Sequence, residues 1–199
     1  MPALDRLVLG TGNPGKIEEL EALLSDLSID LVPSHALDDP PDVVEDADTL
    51  AGNAEKKARA FHTHSGLPAL ADDTGLEVAA LDGRPGVHTA RFAGPDATPD
   101  DNKQHLLEVL DGIDDRRARF RTVVALIDAD GTAHTFEGIC AGTITPAPRG
   151  DQGFGYDPLF QPDGHDRTFA EMAPDAKNDI SHRRKALDAL RRFLTKPPR

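Results

Sequence analysis

The sequence predicts an α/β fold in which a central mixed sheet is flanked by helices. In the first half of the chain, short apolar runs typical of buried strands alternate with apolar residues at helical spacing, a pattern of parallel strands joined by helices. Further on, Phe120–Ile127 and Ala133–Cys140 flank Asp128–Gly131 and predict an antiparallel hairpin. Parallel and antiparallel pairs together make the sheet mixed. Because no repeat or linker divides the 199 residues, we expect a single domain over residues 1–199.

Composition excludes some classes of function. The 35 acidic residues exceed the 22 Lys and Arg, giving a formal net charge of −13. A nucleic acid polymer is therefore not expected as a partner, because its phosphates require a basic face. The single cysteine, Cys140, excludes an intrachain disulfide, and we expect it to be a buried thiol. No signal-peptide pattern and no membrane-length apolar run is present, so we expect a cytoplasmic protein without a membrane partner.

The first element predicts a phosphate site. Leu7–Leu9 reads as a strand that ends at Gly10, and a helix follows with Asn13 as N-cap and Pro14 as its first residue. Strand, glycine-rich turn and helix N-terminus together present free N–H groups and the positive end of the helix dipole to an anion. The predicted apolar face of this helix comprises Ile17, Leu20, Leu23, Leu24 and Leu27.

Two common nucleotide motifs fit this turn only in part. Its glycines satisfy G-x-G-x-x-G, but Asp30 precedes the next apolar pair instead of following it, so a dinucleotide fold is disfavoured. Gly10–Lys16 also matches G-x-x-x-x-G-K, yet Ile17 stands where a P-loop needs a hydroxyl for Mg²⁺. Lys16 opposes the helix dipole in the first turn, which indicates a bound anion. A solvated lysine is the alternative.

An acidic loop and a second helix follow. Residues 38–48 carry six acids and two prolines and read as exposed, and Glu45 is close enough to the next helix to reach a metal. Thr49 begins the helical pattern, with Lys56, Lys57 and Arg59 outside the buried face. That face is predicted to comprise Leu50, Ala54, Ala58 and Phe61.

The acid pair Asp72 and Asp73 is the strongest candidate for chemistry. Leu67–Ala71 reads as a strand that ends at this pair, and acids at a strand end are well placed to hold a divalent cation or to take a proton from water. Because adjacent strand residues point to opposite sides, only one of the two is expected to face the reacting atoms. An Asx-turn ahead of Gly75 is the structural alternative.

The next segment is predicted to be a rigid loop and a third helix. Gly83–Val87 reads as the loop, and Arg91 after it is either a phosphate contact or a surface cation. Thr98 is expected to cap a helix that stops at Gly112 and buries Leu106, Leu107 and Leu110.

The last third carries two further candidate binding segments. Gly153–Pro158 places two aromatic rings among glycines, which suits a flat base, although the rings would equally fill a core. Ser181 is expected to cap the last helix, with His182 and Arg183 in its first turn. Cations there oppose the dipole and indicate either an anion or a surface position.

Taken in order, these motifs resemble the inosine/xanthosine triphosphate pyrophosphatase family. The resemblance runs nearly from end to end through four blocks: Thr11–Lys16; Thr49 with Asn53, Ala54, Lys57 and Ala58; Ala71–Leu76 continuing through Gly83–Val87 to Ala90–Gly94; and Phe154–Pro158 continuing through Ala170–Met172 to Lys177, Asn178, Ile180–Arg183 and Lys185–Leu187.

The resemblance implies hydrolysis of dITP, ITP or XTP to the monophosphate and pyrophosphate with Mg²⁺, in a homodimer whose α/β fold has a cleft between two lobes. It implies that Asp73 accepts the proton and shares in metal binding, with Glu45 or Asp72 completing the metal site. The triphosphate would be held by Thr11, Gly12, Asn13, Pro14, Gly15 and Lys16. The nucleotide would be held by Thr74, Phe154, Gly155, Tyr156, Asp157, Lys177, His182 and Arg183, the last of these near the base.

The chain departs from many bacterial members at three positions. Leu50 and Gly52 stand where those members have Phe and Glu, and Thr74 stands where they have Ser. No carboxylate at position 52 can therefore assist the metal, so Glu45 carries more of that role.

The mechanistic hypothesis is attack of water on the α-phosphorus. Asp73 would orient and deprotonate the water, and Lys16 with the turn N–H groups would stabilise charge on the leaving pyrophosphate. Donors from Arg183 or His182 would read the 6-oxo group of the base and reject adenine. Two alternatives stay open: a nucleotide-sensing module without turnover, and a pyrophosphatase of broader or pyrimidine preference.

Overall fold

The computed structural model describes residues 4–195 and has the predicted α/β class. The strands run in the order β2-β1-β3-β5-β6-β7, and β4 pairs with β3 outside this series. Strand β1 is parallel to β2 and to β3, whereas β3 with β4 and β6 with β7 are antiparallel, so the sheet is mixed as predicted. The strands are β1 Arg6–Leu9, β2 Asp30–Pro33, β3 Ala69–Val78, β4 Pro85–Gly86, β5 Arg117–Ile127, β6 Ala133–Ile144 and β7 Phe160–Pro162. The helices are α1 Pro14–Leu24, α2 Leu50–Ser65, α3 Pro99–Val109, α4 Pro174–Ile180 and α5 His182–Leu194.

The chain divides into two compact units, each made of several segments. Unit 1 contains the described parts of Met1–Asp73, Thr122–Gly138 and Arg183–Arg199, and unit 2 contains Thr74–Arg121 and Ile139–His182. Each unit has its own apolar core. A cleft between two lobes and a single domain stay predictions.

Helix α1 of unit 1 begins as predicted. The Asn13 side chain accepts a hydrogen bond of 3.2 Å from the Lys16 N–H, and Pro14 occupies the first turn. The apolar face of α1 packs with the strand residue Leu9 and the α5 residue Leu187. The cap and the core together fix where the helix N-terminus lies. The core cluster comprises Leu7, Leu9, Ile17, Leu20, Leu23, Leu24, Leu70, Val124, Leu126, Ala186, Leu187 and Leu190.

Helix α2 buries two polar side chains, Asn53 and Lys57, that were not predicted to belong to its buried face. The Thr49 hydroxyl accepts from the Gly52 N–H at 3.0 Å, so the helix starts where predicted. The prediction that Lys57 lies outside the buried face is wrong, because Lys57 is buried together with Asn53. The complete buried face comprises Leu50, Asn53, Ala54, Lys57, Ala58 and Phe61.

Strand β3 is longer than predicted. It continues through Asp72 and Asp73 to Val78, so the two acids lie in the strand interior and not at its end or in an Asx-turn. The extension is held by β4, which lies inside the segment predicted to be a loop. A Cβ atom at Gly75 would lie 2.7 Å from the Gly86 carbonyl oxygen, so the close approach of β4 requires glycine there.

Unit 2 packs around a core that contains Cys140, buried as predicted. Helix α3 begins with a capping box between Thr98 and Asp101, and Gly112 follows its end with a φ of +71°.

The predicted hairpin is present, since β5 and β6 are neighbours joined by a turn in which the Asp128 N–H donates to the Thr132 carbonyl at 3.0 Å. Among residues 4–195, no helix is long and apolar enough to cross a membrane.

Candidate functional site

The sheet register brings the glycine-rich turn beside the acid pair. Leu9 is paired with Leu70 across the parallel strands β1 and β3, and the Gly10 N–H donates to the Leu70 carbonyl at 2.7 Å. Strand β1 ends there while β3 continues, so the turn after β1 lies next to Asp72. The Lys16 ammonium reaches back to the Asp72 carbonyl oxygen at 3.4 Å.

Asp72 lies between two cations in the interior of unit 1. Its side chain is 0% exposed, and its oxygens lie 3.2 Å from Lys16 Nζ and 2.9 Å from Arg183 Nη2. Arg183 is itself buried and also donates to Glu19. Burial alone would raise the pKa of Asp72, but the charges of Lys16 and Arg183 outweigh it and hold that pKa well below its usual range. Asp72 is therefore a buried carboxylate anion.

Asp73 faces a different set of partners. Asn53 Nδ2 donates to Asp73 Oδ2 at 3.1 Å, and Lys57 Nζ lies 3.8 Å from Asp73 Oδ1. The same ammonium lies 3.0 Å from Glu45 Oε2. Burial raises the pKa of Asp73, and the nearby charge of Glu45 adds to the rise while Lys57 opposes it. A carboxylate with a raised pKa is a stronger base, which suits proton transfer near neutral pH.

Asn53 donates a hydrogen bond to Asp73 and Arg183 donates to Asp72, which agrees with the opposite orientations that strand alternation predicts. Asp72 is held by Lys16 and Arg183 and has the contacts of a structural anchor. Metal binding by Asp72 stays a prediction. Asp73 is the acid of the pair whose surroundings favour proton transfer.

Glu45 and Asp73 fit a magnesium site in their donor chemistry. Both carboxylates approach the single ammonium of Lys57, so unit 1 gathers two acidic side chains about one point of positive charge. Mg²⁺ is usually bound by one or two carboxylates, with substrate phosphates and water supplying the remaining ligands. Within the described chain, no group of three or more His, Cys, Asp or Glu side chains that could hold a metal is found.

The glycine-rich turn is fixed by the side chains of Thr11 and of Ser34, which follows β2. The Thr11 hydroxyl accepts from the Asn13 N–H at 3.2 Å, and the Ser34 hydroxyl donates to the Thr11 carbonyl at 2.6 Å. A Cβ atom at Gly12 would meet no atom within 4 Å. The fold itself therefore does not require glycine at position 12, whereas close approach of a bound group would.

Unit 2 holds a buried ion pair between two of the predicted nucleotide contacts. Lys177 Nζ lies 2.7 Å from Asp157 Oδ2, which also accepts from the Phe154 N–H at 2.9 Å. The ammonium lies 5.0 Å from the centre of the Phe154 ring, within cation–π range. Gly153 has a φ of +74°, and a Cβ atom there would lie 2.1 Å from Asp157 Oδ2, so the loop needs glycine at this position.

Two other predicted contacts of unit 2 are core residues. Tyr156 is buried and its hydroxyl donates to the Thr89 carbonyl at 3.1 Å, which favours the core alternative for this ring. His182 is also buried and stacks on Phe120, with ring centres 4.7 Å apart. Thr74 is half-buried in β3, and Gly155 has a φ of +58°. Nucleotide contacts by these residues stay predictions.

The predicted site residues therefore form two groups, one in each unit. Unit 1 brings together the Thr11–Lys16 turn, the acids and Arg183. Unit 2 contains Thr74, Phe154, Gly155, Tyr156, Asp157, Lys177 and His182.

No functional role was predicted from the sequence for Asn53, Lys57 or Glu19. Asn53 and Lys57 had a detectable signal, because they stand at the i+3 and i+7 positions from Leu50, where the helical pattern calls for apolar residues. Glu19 had none, because its partner Arg183 is 164 residues away in sequence.

Comparison with known proteins agrees with this fold and these motifs. The sequence profile described as the Ham1 family matches residues 7–193. The chain is 50% identical to the dITP/XTP pyrophosphatase of Syntrophobacter fumaroxidans over 186 residues, 94% of this chain and 80% of that protein. It is 48% identical to the dITP/XTP pyrophosphatase of Porphyromonas gingivalis over 96% of this chain and 98% of that protein. The structure of a HAM1 protein from Coxiella burnetii matches with a TM-score of 0.87 and 42% identity, covering 97% of this chain and 100% of that one. The resemblance seen in the sequence is confirmed, and the chain belongs to the Ham1 family.

Proposed function

We propose that this chain is a Mg²⁺-dependent pyrophosphatase that hydrolyses dITP, ITP and XTP to the nucleoside monophosphate and pyrophosphate. The observation that carries the proposal is the environment of Asp73, a buried carboxylate with a raised pKa beside Glu45 and Lys57. Two relatives of nearly the same length are dITP/XTP pyrophosphatases, which supports the substrate class.

Asp73 is the proton acceptor in this proposal. Its carboxylate orients a water molecule towards the α-phosphorus and takes the proton as the oxygen–phosphorus bond forms. The Asn53 amide holds one of its oxygens, which limits rotation of the carboxylate. Burial raises the pKa of Asp73, so proton uptake is easier than for an exposed aspartate.

Glu45 and Asp73 would hold the magnesium ion. When bound, Mg²⁺ supplies Lewis-acid polarisation of the phosphate oxygens and neutralises part of their charge. The positive charge of Lys57 offsets the negative charges of Glu45 and Asp73, which reduces the repulsion between the two carboxylates in unit 1.

The Thr11–Lys16 turn would bind the triphosphate and stabilise the leaving pyrophosphate. Backbone N–H groups at the start of α1 and the helix dipole favour the anion. Burial lowers the pKa of Lys16, and the charges of Lys57 and Arg183 act in the same direction, whereas Asp72 opposes them. The negative charge of a bound triphosphate would raise the pKa of Lys16 again. Substrate binding would therefore stabilise the charged form of this side chain.

Unit 2 would bind the nucleoside. The Phe154 ring beside Lys177 offers an apolar face with an adjacent donor, which suits a purine carrying a 6-oxo group. Donation from His182 to that oxygen would leave polar groups unpaired with adenine, which disfavours ATP and dATP.

A substrate panel tests this function. The purified chain should release pyrophosphate, and no orthophosphate, from dITP and XTP in the presence of Mg²⁺, with lower kcat/KM for dGTP, dATP, dUTP and dTTP. Adding EDTA should abolish the release. Binding without turnover would indicate the sensing module, equal kcat/KM across the panel would indicate a broad pyrophosphatase, and orthophosphate alone would mean that a different bond is cut.

The variant Gly12→Ala tests whether Gly12 is needed for triphosphate binding and not for the folding of the turn. Because the added Cβ meets no atom within 4 Å, we expect an unchanged melting temperature. We expect a rise in KM for dITP of at least about 10-fold, since a misplaced phosphate contact is worth roughly 1.4 kcal/mol or more. Thermal unfolding and initial rates check both parts. An unchanged KM would remove Gly12 from the triphosphate site.

A homodimer and a cytoplasmic location are also proposed, on the resemblance and on the composition respectively.

A further inference from the structure

We propose that Asn53 is a positioning residue that connects the loop carrying Glu45 to Asp73 and sets the geometry between these two carboxylates. The inference rests on the proposed function in that it takes Glu45 and Asp73 as the metal-binding pair. It adds a role for a residue that bonds to a proposed metal ligand.

Asn53 makes one hydrogen bond on each side of its amide. Its Oδ1 accepts from the Ala47 N–H at 2.9 Å, and its Nδ2 donates to Asp73 Oδ2 at 3.1 Å. The side chain is 1% exposed, so water does not compete for either bond. Ala47 is two residues from Glu45, which means that the Asn53 amide joins the loop backbone directly to the Asp73 carboxylate.

Only a neutral group with a donor and an acceptor can make this link. A carboxylate at position 53 would face Asp73 with like charge, and an apolar side chain would remove the bonds to the part-buried Ala47 N–H and to the buried Asp73 oxygen. Asparagine also fixes which oxygen of Asp73 is used. Oδ2 is held by the amide, and Oδ1 lies on the side of Lys57, 3.8 Å from its ammonium.

Gly52 allows the loop to come this close to the helix. A Cβ atom at Gly52 would lie 2.9 Å from the Ala47 Cβ and 3.1 Å from the Thr49 hydroxyl, so a side chain would push the loop away. The absence of a side chain at position 52 therefore favours the contact between Ala47 and Asn53.

The chain contains a matched control in unit 2. Asn102 stands at the same position of its helix, the fourth residue of α3, and is likewise buried. Its Oδ1 accepts from the Ala93 N–H at 2.8 Å, but its Nδ2 donates to the Ala90 carbonyl at 3.0 Å and not to an acid. Each asparagine thus accepts a hydrogen bond from a backbone N–H outside its helix, but only Asn53 also donates to a proposed metal ligand.

The test compares Asn53→Leu, Asn102→Leu and Gly52→Ala with the wild-type chain. Each is examined by thermal unfolding, by titration with Mn²⁺ alone followed by the electron paramagnetic resonance of the free ion, and by kcat and KM for dITP at several Mg²⁺ concentrations. Both leucine variants should lower Tm by similar amounts, about 2–10 °C, because each leaves buried polar groups without these bonds.

The metal readouts should separate the variants. Asn53→Leu should weaken Mn²⁺ binding by about 10–100-fold, the usual effect of removing a partner that orients a metal ligand, and should lower kcat with little change in KM. Asn102→Leu should keep the Mn²⁺ Kd and kcat within about twofold of wild type, because the Asn102 amide bonds to backbone groups and not to a proposed metal ligand. Gly52→Ala, which keeps the Asn53 side chain, should also weaken Mn²⁺ binding while its kcat recovers at high Mg²⁺.

Equal Mn²⁺ affinity and kcat in Asn53→Leu and Asn102→Leu would overturn the role of Asn53 and leave the proposed function intact. If Asn53→Leu does not fold, unchanged Mn²⁺ binding in Gly52→Ala would overturn it. A wild-type chain that binds Mn²⁺ but does not hydrolyse dITP would overturn the proposed function instead, and the Mn²⁺ titrations would still decide the role of Asn53.

Discussion

The Asp73→Asn variant should lose at least about 100-fold in kcat for dITP and up to about 10,000-fold, the range for removal of a general base. The amide keeps the size of the side chain but cannot accept the proton, and it removes one of the two acids around Lys57. Because burial raises the pKa of Asp73, the charged form is already disfavoured in the fold, so neutralising this position should not lower Tm. Pyrophosphate release under saturating Mg²⁺ gives the rate, and thermal unfolding gives the stability.

A matched control for this result is Asp157→Asn in unit 2. Asp157 is also a buried aspartate paired with a lysine, 2.7 Å from Lys177 Nζ, but it is proposed to hold the nucleoside loop and not the water. We expect Asp157→Asn to raise KM and to lower Tm. A kcat for Asp73→Asn within tenfold of wild type would contradict the assignment of Asp73 as the base.

Sequence reasoning was most accurate where structure depends on neighbours in the chain. The Asn13 cap, the start of α2 at Thr49 and the Thr98 cap of α3 all depend on hydrogen bonds between residues three apart. The opposite orientations of Asp72 and Asp73 follow from strand geometry alone. These features were confirmed because local stereochemistry decides them.

The errors arose where distant segments decide the structure. The end of β3 was misplaced because β4 pairs with Leu76 and Glu77 from a segment that resembles a loop. Lys57 was placed outside the buried face because a charged residue usually faces water, whereas its acidic partners come from a loop and from another element. No pattern within one helix contains the information that such partners exist.

Asp72 and Arg183 lead to a prediction about acid stability. Because the charges of Lys16 and Arg183 hold the pKa of Asp72 below its usual value of 3.8, this carboxylate stabilises the fold above about pH 4, and its contribution is lost as the pH falls below that value. With Arg183 removed, the pKa of Asp72 rises. The midpoint of acid unfolding, followed by circular dichroism, should therefore move to higher pH in Arg183→Met than in wild type.

Arg183→Met should also destabilise the chain strongly at neutral pH. Arg183 is 1% exposed and is bound to Asp72 and Glu19, so methionine leaves two acids in the interior with much less positive charge near them. Removing one partner of a buried pair typically costs about 3–5 kcal/mol, which for a chain of this size lowers Tm by roughly 6–20 °C.

The neighbouring Arg184 provides the control, because its pair with Asp188 is about one-third exposed on both sides. Arg184→Met should change stability by no more than about 1 kcal/mol. Urea unfolding of both variants measures the difference, and equal losses would show that the buried pair is not what anchors α5 in unit 1.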